Sequence, residues 1–334
     1  MRHSTTFLRL WQTLVRVCAM GAMGAALLPC TAYAFDLQGH RGTRGNEPEN
    51  TLAAFERALQ IGVTTLEMDA AVTADGVVVI YHDRALNPAI TRDGSGRWLP
   101  RQDRLIKSLS YAELQQFDVG ANDKNSDYGR QFPHQQARDG QRIPRLADVF
   151  ARIKALGADQ VRFDIETKID PNFPDQTVPP ETFVAALLKV IRDAGMTSRV
   201  MVQSFDWRTL QLLQKLEPGL ETMYLTTRNR NRDTLEGGTW TAGMLLRDHA
   251  SPAHMIKAAG GKIWAPSFQN LTAESVKSAQ TLGLKVIPWT VNEAADAERL
   301  IDWGVDGIIS DYPDRIRVVM QRRGIPLPAP VGGR

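Results

Sequence analysis

Two histidines and three carboxylates stand where short apolar runs break off. His40 sits in the turn Gly39-His40-Arg41-Gly42, Glu67 and Asp69 close the run over residues 63–71, His82 follows 77–81, and Glu166 ends 161–166. Glu67 and Asp69 are two residues apart, so an extended strand points both side chains the same way. Carboxylates gathered in one place disfavour each other's charge unless a cation joins them. A hard divalent cation takes oxygen ligands, and Glu67, Asp69 and Glu166 offer a set. Zinc is less attractive without thiolates and with few histidines. Residue type does not separate calcium from magnesium. His40 and His82 titrate near neutrality, so the pair can supply one proton donor and one acceptor. Asp83 either orients His82 or steadies the turn that follows. Arg41 and Lys168 carry charge suited to phosphate, the first as a bidentate fork and the second as a mobile point charge. Gln203 can hydrogen-bond a substrate, and Phe205 and Trp289 can pack against its organic part. Taken singly, each has a plainer reading: a loop-facing acid, a Lys168–Glu166 ion pair, a core aromatic.

What must position them is a series of strands alternating with helices. Strands are expected near 36–40, 64–69, 161–166, 200–203, 221–225, 262–265, 285–289 and 306–310, most followed by a helical segment. That layout predicts an α/β protein, a (β/α)8 TIM barrel, with the polar residues on one rim at the strand ends. A doubly wound sheet is the alternative, but no glycine-rich phosphate loop follows the first strand. Asp75-Gly76 signals a hairpin, whose return strand over 77–81 delivers His82. Residues 87–140 read as an insertion after the second barrel strand, mostly surface loop with a short helix near 111–116. It is either a lid or wall of the site or an ordinary excursion. Asn292 reads as the cap of a helix reaching Trp303. Residues 226–247 form a polar, glycine-containing loop. Residues 321–334 are proline-rich and read as a flexible tail.

The first 34 of the 334 residues differ from the rest. They hold Arg2, Arg9 and Arg16, no acid, an apolar run over 17–28 and the small-x-small site Ala32-Tyr33-Ala34. This reads as a secretory signal peptide cleaved after Ala34, too short in its apolar run to span a bilayer comfortably. The chain's formal charge of +3 leaves with those three arginines, and so do both cysteines, Cys18 and Cys30. The mature chain, residues 35–334, is then formally neutral, and its main domain is 35–320. It has no thiol chemistry and no basic excess to suggest nucleic acid or a membrane surface. A periplasmic or secreted location follows, with a small-molecule substrate and no stable membrane insertion of the mature chain.

The ordered motifs resemble the glycerophosphodiester phosphodiesterase family, in its exported bacterial form. They are His40-Arg41-Gly42, Pro48-Glu49-Asn50-Thr51, Glu67-Met68-Asp69, His82-Asp83, Pro144-Arg145-Leu146, Glu166-Thr167-Lys168, Gln203-Ser204-Phe205, Trp289-Thr290-Val291-Asn292 and the run from Gly307 to Pro313. The resemblance implies a barrel with an insertion after its second strand. It implies Ca²⁺ or Mg²⁺ on Glu67, Asp69 and Glu166, acid–base catalysis by His40 and His82, and phosphate contacts from Arg41 and Lys168. The implied reaction hydrolyses glycerophosphodiesters, such as glycerophosphocholine or glycerophosphoethanolamine, to sn-glycerol 3-phosphate and an alcohol. The attacking oxygen is either water or the neighbouring glycerol hydroxyl. A lipid-directed phosphodiesterase and a binding protein without turnover are the competing readings.

Overall fold

The computed structural model describes residues 35–332. The signal peptide expected over 1–34, with both cysteines, lies outside the described residues. Strands and helices alternate along the chain. The strands are β1 (Asp36–Gly39), β2 (Thr65–Val72), β3 (Val78–Ile80), β4 (Arg162–Thr167), β5 (Val200–Ser204), β6 (Glu221–Thr226), β7 (Arg228–Asn229), β8 (Arg232–Asp233), β9 (Ile263–Pro266), β10 (Lys285–Val286) and β11 (Gly307–Ser310). The helices are α1 (Leu52–Ile61), α2 (Tyr111–Leu114), α3 (Asp127–Arg130), α4 (Leu146–Ala155), α5 (Pro180–Asp193), α6 (Trp207–Leu216), α7 (Pro252–Ala258), α8 (Ala273–Thr281), α9 (Ala294–Asp302) and α10 (Pro313–Arg322).

Eight parallel strands run in the order β10-β9-β6-β5-β4-β2-β1-β11. The two ends of that path meet through backbone bonds from Asp306 N–H to Val286 O (2.8 Å) and from Ile309 N–H to Pro288 O (3.0 Å). The result is the (β/α)8 barrel expected from the alternation. Its strands are buried on both faces, so they read as near-continuous apolar runs. One face packs on the helices, as where Phe163 of β4 meets Phe150 of α4 edge-on at 4.9 Å. The other fills the barrel with Met201, Met223, Leu225, Ile263, Ala265, Ile287 and Ile309.

Three expectations need correction. Of the strand expected over 285–289, β10 spans only Lys285–Val286, yet its ladder to β9 runs on through Ile287 N–H to Trp264 O (3.0 Å) and Trp289 N–H to Pro266 O (3.1 Å), so that expectation needs least change. Asn292 does not cap α9: Glu293 holds that position without a side-chain bond. Asn292 instead donates from Nδ2 to Asp311 Oδ2 (2.8 Å) and accepts the Asp311 N–H (2.9 Å). A buried carboxylate in reach outbids a helix end that solvent can satisfy. The insertion is also no loose surface loop. Leu86, Ile90, Leu99, Ile106, Leu114, Phe117 and Val119 bury together against Val79 and Tyr81 as a second core. The hairpin is as expected, with β3 antiparallel to β2 and Ala71 opposite Val79. Beyond α10 the chain runs back along the barrel, where Val331 N–H donates to Leu59 O (2.9 Å) and Arg317 Nη1 to Pro328 O (2.7 Å). Among the described residues, no helix is long and apolar enough to cross a membrane.

Candidate active site

Strand register sets the site. Adjacent parallel strands place Asp69 of β2 beside Glu166 of β4, and Glu166 beside Gln203 of β5. Since alternate residues share a face, Glu67 joins Asp69 on the interior side at the mouth. Glu67, Asp69 and Glu166 each offer an oxygen within 4.8 Å of the others'. All three are buried.

The turn after β1 is built to bring backbone close. Gly42 has φ +85°, and a Cβ there would lie 2.7 Å from the Ala54 carbonyl carbon, so only glycine fits. Arg41 takes a left-handed φ of +50° before it. This aims the Arg41 N–H at Glu67 Oε2 (2.7 Å) while its guanidinium reaches Glu49 (2.8 Å) and Asp69 (3.2 Å). Asn50, also left-handed at φ +57°, donates from Nδ2 to Asp69 Oδ2 (2.8 Å). Thr51 then caps α1 by accepting the Ala54 N–H.

The charges of the acidic group are unevenly held. Burial, reinforced by Asp69, pushes the Glu67 carboxyl well up. Burial would raise Asp69 too, but Arg41, His82 and Lys168 outweigh it and hold that carboxyl below the usual range. Burial raises Glu166, against the opposing Lys168 ammonium 2.7 Å away. Asp69 Oδ1 is buried without a hydrogen-bond partner. A buried, partnerless anionic oxygen beside two carboxyls that burial pushes up is an arrangement that a divalent cation completes. The all-oxygen donor set suits calcium or magnesium. The residues therefore fit such an ion, with Glu67, Asp69 and Glu166 as its holders.

His40 and His82 face the same cavity, of about 150 Å³, which Arg41, Arg44, Glu166, Lys168, Gln203, Phe205, Arg232 and Trp289 also line. His40 Nδ1 lies 2.6 Å from Asp311 Oδ1, and its Nε2 is 3.9 Å from Glu67 Oε2. His82 Nδ1 lies 2.7 Å from Asp83 Oδ1, whose other oxygen accepts from Asn87 Nδ2 (2.7 Å). A carboxylate partner makes each Nδ1 a donor and leaves Nε2 as the acceptor. Burial, with Arg44 adding, lowers His40 to about 4 against the pull of Asp311. Burial, with Arg41 and Lys168, lowers His82 well below its ordinary value. Both imidazoles are thus neutral at pH 7.

Gln203 donates from Nε2 to Glu67 Oε1 (2.8 Å), so in this structure it holds a carboxylate. Phe205 and Trp289 meet edge-on at 5.4 Å on one wall. Several residues were missed in the sequence. Asp311 takes His40 and also Arg44 Nε (2.7 Å); burial would raise it, but Arg44 and His40 hold it well below the carboxylate range. Glu49 and Asn50 fix Arg41 and Asp69. Asp164, in register with Glu67, is fully buried with both oxygens unpartnered and its carboxyl pushed well up, first by burial and then by Glu67. Only the parity of Asp164 with Glu166 signalled it.

An acidic group and two histidines at the carboxyl-end mouth of a (β/α)8 barrel define an enzyme site. Residues 40–315 match the model of the glycerophosphoryl diester phosphodiesterase family, and the chain belongs to that family. It is an enzyme, a phosphoric diester hydrolase. A glycerophosphodiester phosphodiesterase of Caldanaerobacter subterraneus is 28% identical over 289 residues, covering 85% of this chain and 97% of its own. A crystal structure from Silicibacter pomeroyi, assigned as a glycerophosphoryl diester phosphodiesterase, is 37% identical with a TM-score of 0.79 and covers 88% of this chain and 95% of its own. An Oleispira antarctica phosphodiesterase, solved with its product sn-glycerol 3-phosphate, shares the fold at 23% identity and a TM-score of 0.64, over 86% of this chain and 96% of its own.

Proposed function

We propose that the chain hydrolyses glycerophosphodiesters to sn-glycerol 3-phosphate and an alcohol, with His40 and His82 as the proton-transfer pair. The carrying observation is that both imidazoles line one cavity with Glu166, a member of the three-carboxylate cluster, each with Nδ1 engaged by an aspartate. When bound, a divalent cation supplies Lewis-acid polarisation of the phosphoryl group.

The chain's own residues do the rest. A neutral imidazole with Nδ1–H donated to a carboxylate has its Nε2 lone pair available to take a proton from the attacking oxygen. The carboxylate then stabilises the imidazolium that forms, as Asp311 can for His40. The other histidine can give a proton to the departing alcohol oxygen only after taking one up on Nε2, so it enters the step as the imidazolium, a form its aspartate partner stabilises. Lys168, 3.6 Å from Asp69 and paired with Glu166, stands where it can shift towards a phosphoryl oxygen. Arg41 is committed to Glu49 and Asp69, so its contribution to phosphate is carried by field as well as by contact. Phe205 and Trp289 offer apolar faces to the carbon skeleton of the substrate.

The basic, acid-free first 34 residues support export to the periplasm or beyond. The test incubates the protein with glycerophosphocholine, glycerophosphoethanolamine and lysophosphatidylcholine, with chelator and then with Ca²⁺, Mg²⁺ or Mn²⁺ restored. Glycerol 3-phosphate should appear, vanish with chelator and return with the ion. Chelator-resistant turnover would remove the role given to Glu67, Asp69 and Glu166. Turnover of the lysolipid alone would favour a lipid-directed enzyme.

A further inference from the structure

The segment between β6 and α7 brings an unusual cation to the mouth. β7 and β8 pair antiparallel, Arg228 with Asp233 and Asn229 with Arg232. Asn229 Oδ1 accepts the N–H groups of Asn231 (2.9 Å) and Arg232 (3.0 Å), which tightens the tip. Thr234 N–H donates to Thr227 O (3.0 Å) and closes the base. The hairpin so held lays the Arg232 guanidinium 4.1 Å from the centroid of Phe205 and 4.6 Å from that of Trp240. Phe205 in turn meets Trp240 and Trp289 edge-on. Arg232 therefore lies on the aromatic wall of the same cavity that holds His40 and His82.

The other cations of that cavity are spoken for. Arg41 pairs with Glu49, Arg44 with Asp311 and Lys168 with Glu166. Among the described residues, the Arg232 guanidinium meets no carboxylate at salt-bridge distance. The two carboxylates whose charge reaches it are Glu166, held by Lys168, and Asp170, held by Arg84 at 2.9 Å. Arg232 thus keeps its hydrogen-bond donors free at the outer edge of the site.

Size decides which part of a diester meets it. The cavity of about 150 Å³ holds roughly ten to fifteen waters at ~10–15 Å³ of cavity volume each, the scale of a glycerol phosphate. Its lining includes the buried His40, Glu166 and Gln203, and Arg232 is exposed at the rim. The alcohol half of the substrate must project past the rim, against Arg232. Aromatic faces of this kind attract quaternary ammonium groups when they are open. Here a guanidinium already occupies two of them and would repel a second cation.

We propose that Arg232 is a specificity determinant, which makes the enzyme select diesters whose alcohol is hydroxyl-rich or anionic over those whose alcohol is a quaternary ammonium. This rests on the phosphodiesterase reading above and narrows its substrate class. The test measures kcat/KM for glycerophosphoglycerol, glycerophosphoinositol and glycerophosphocholine, by release of glycerol 3-phosphate, in the parent, Arg232→Ala and Arg232→Lys. The parent should prefer the two polyol esters by about two- to fivefold, the scale of one exposed cation–aromatic contact. Arg232→Ala should raise KM for the polyol esters, lower it for the choline ester and bring the ratio near one. Arg232→Lys should fall between. A parent that prefers the choline ester overturns the proposal, as does a ratio that Arg232→Ala leaves unchanged. Release of no glycerol 3-phosphate from any of the three esters would instead overturn the phosphodiesterase reading. Thermal melts of the variants should match the parent, because the side chain is exposed.

Discussion

At the scale of the residue, the two imidazoles differ from surface histidines in what each nitrogen can do. Truncation of either to alanine should lower kcat by about 10²- to 10⁴-fold, the usual contribution of a positioned acid or base, with an unchanged fold by circular dichroism. Near-parental turnover in both variants, with metal saturating, would end the two-histidine reading. Asp311 is a positioning residue for His40, and its effects separate from catalysis by their pH dependence. Its native carboxyl is held well below the usual range, so it stabilises the fold above the ordinary carboxylate value of about 3.9. That contribution is lost as pH falls through this value towards the native one. Asp311→Asn leaves Arg44 without its buried partner, which should cost on the order of 3 kcal/mol at pH 7. The gap in urea midpoint between parent and variant should start to narrow below about pH 4, where the unfolded carboxylate takes up its proton, and narrow further with each step down in pH. A gap that persists there would assign the loss to packing instead. No spacing in the sequence could reveal this pair, because His40 and Asp311 lie 271 positions apart. Asp311 lies in the run from Gly307 to Pro313, where its partners are decided only by barrel closure.

At the scale of the element, legibility followed periodicity. The barrel strands were readable because burial on both faces makes them short apolar runs, and their polar terminal residues then marked the mouth. Asn292 was misread because a cap is a local signal, while its Asp311 partner comes from another strand. The insertion was misread for a related reason: its apolar residues are aperiodic, so they resemble a loop until they meet. Their burial carries a prediction. Leu86 is fully buried within the second core, four residues after His82. Leu86→Ala should reduce unfolding free energy by about 2–5 kcal/mol, measured by urea titration. An effect under about 0.5 kcal/mol, typical of surface sites, would mean that the segment does not pack as a core. Asn87 joins this core to the site through Asp83. Loosening the insertion should therefore also weaken the hold on His82 and lower kcat more than it raises KM.

At the scale of the whole molecule, the barrel concentrates three carboxylates from two adjacent strands in a mouth that water reaches poorly. Without a cation, that arrangement opposes folding: burial and the Asp69 charge push the Glu67 carboxyl well up, and Asp69 relies on Arg41, His82 and Lys168. Anything that binds the native mouth alone should shift the unfolding equilibrium towards the native state, by about 2.7 kcal/mol at a hundredfold excess over Kd. Chelated protein should therefore melt several degrees lower than protein with Ca²⁺ or Mg²⁺ restored. The size of the rise for each ion would rank calcium against magnesium without any turnover measurement. Glu67→Gln and Asp69→Asn should each abolish most of that rise. Glu67→Gln should also leave the chelated protein at least as stable as the parent, because it removes a charge that the fold otherwise suppresses. Equal melting of the parent with and without cation would show that the three carboxylates are held by the protein's own cations alone. The opposite sign, a chelated Glu67→Gln protein clearly less stable than the chelated parent, would show that the Arg41 and Gln203 bonds to Glu67 outweigh its electrostatic cost.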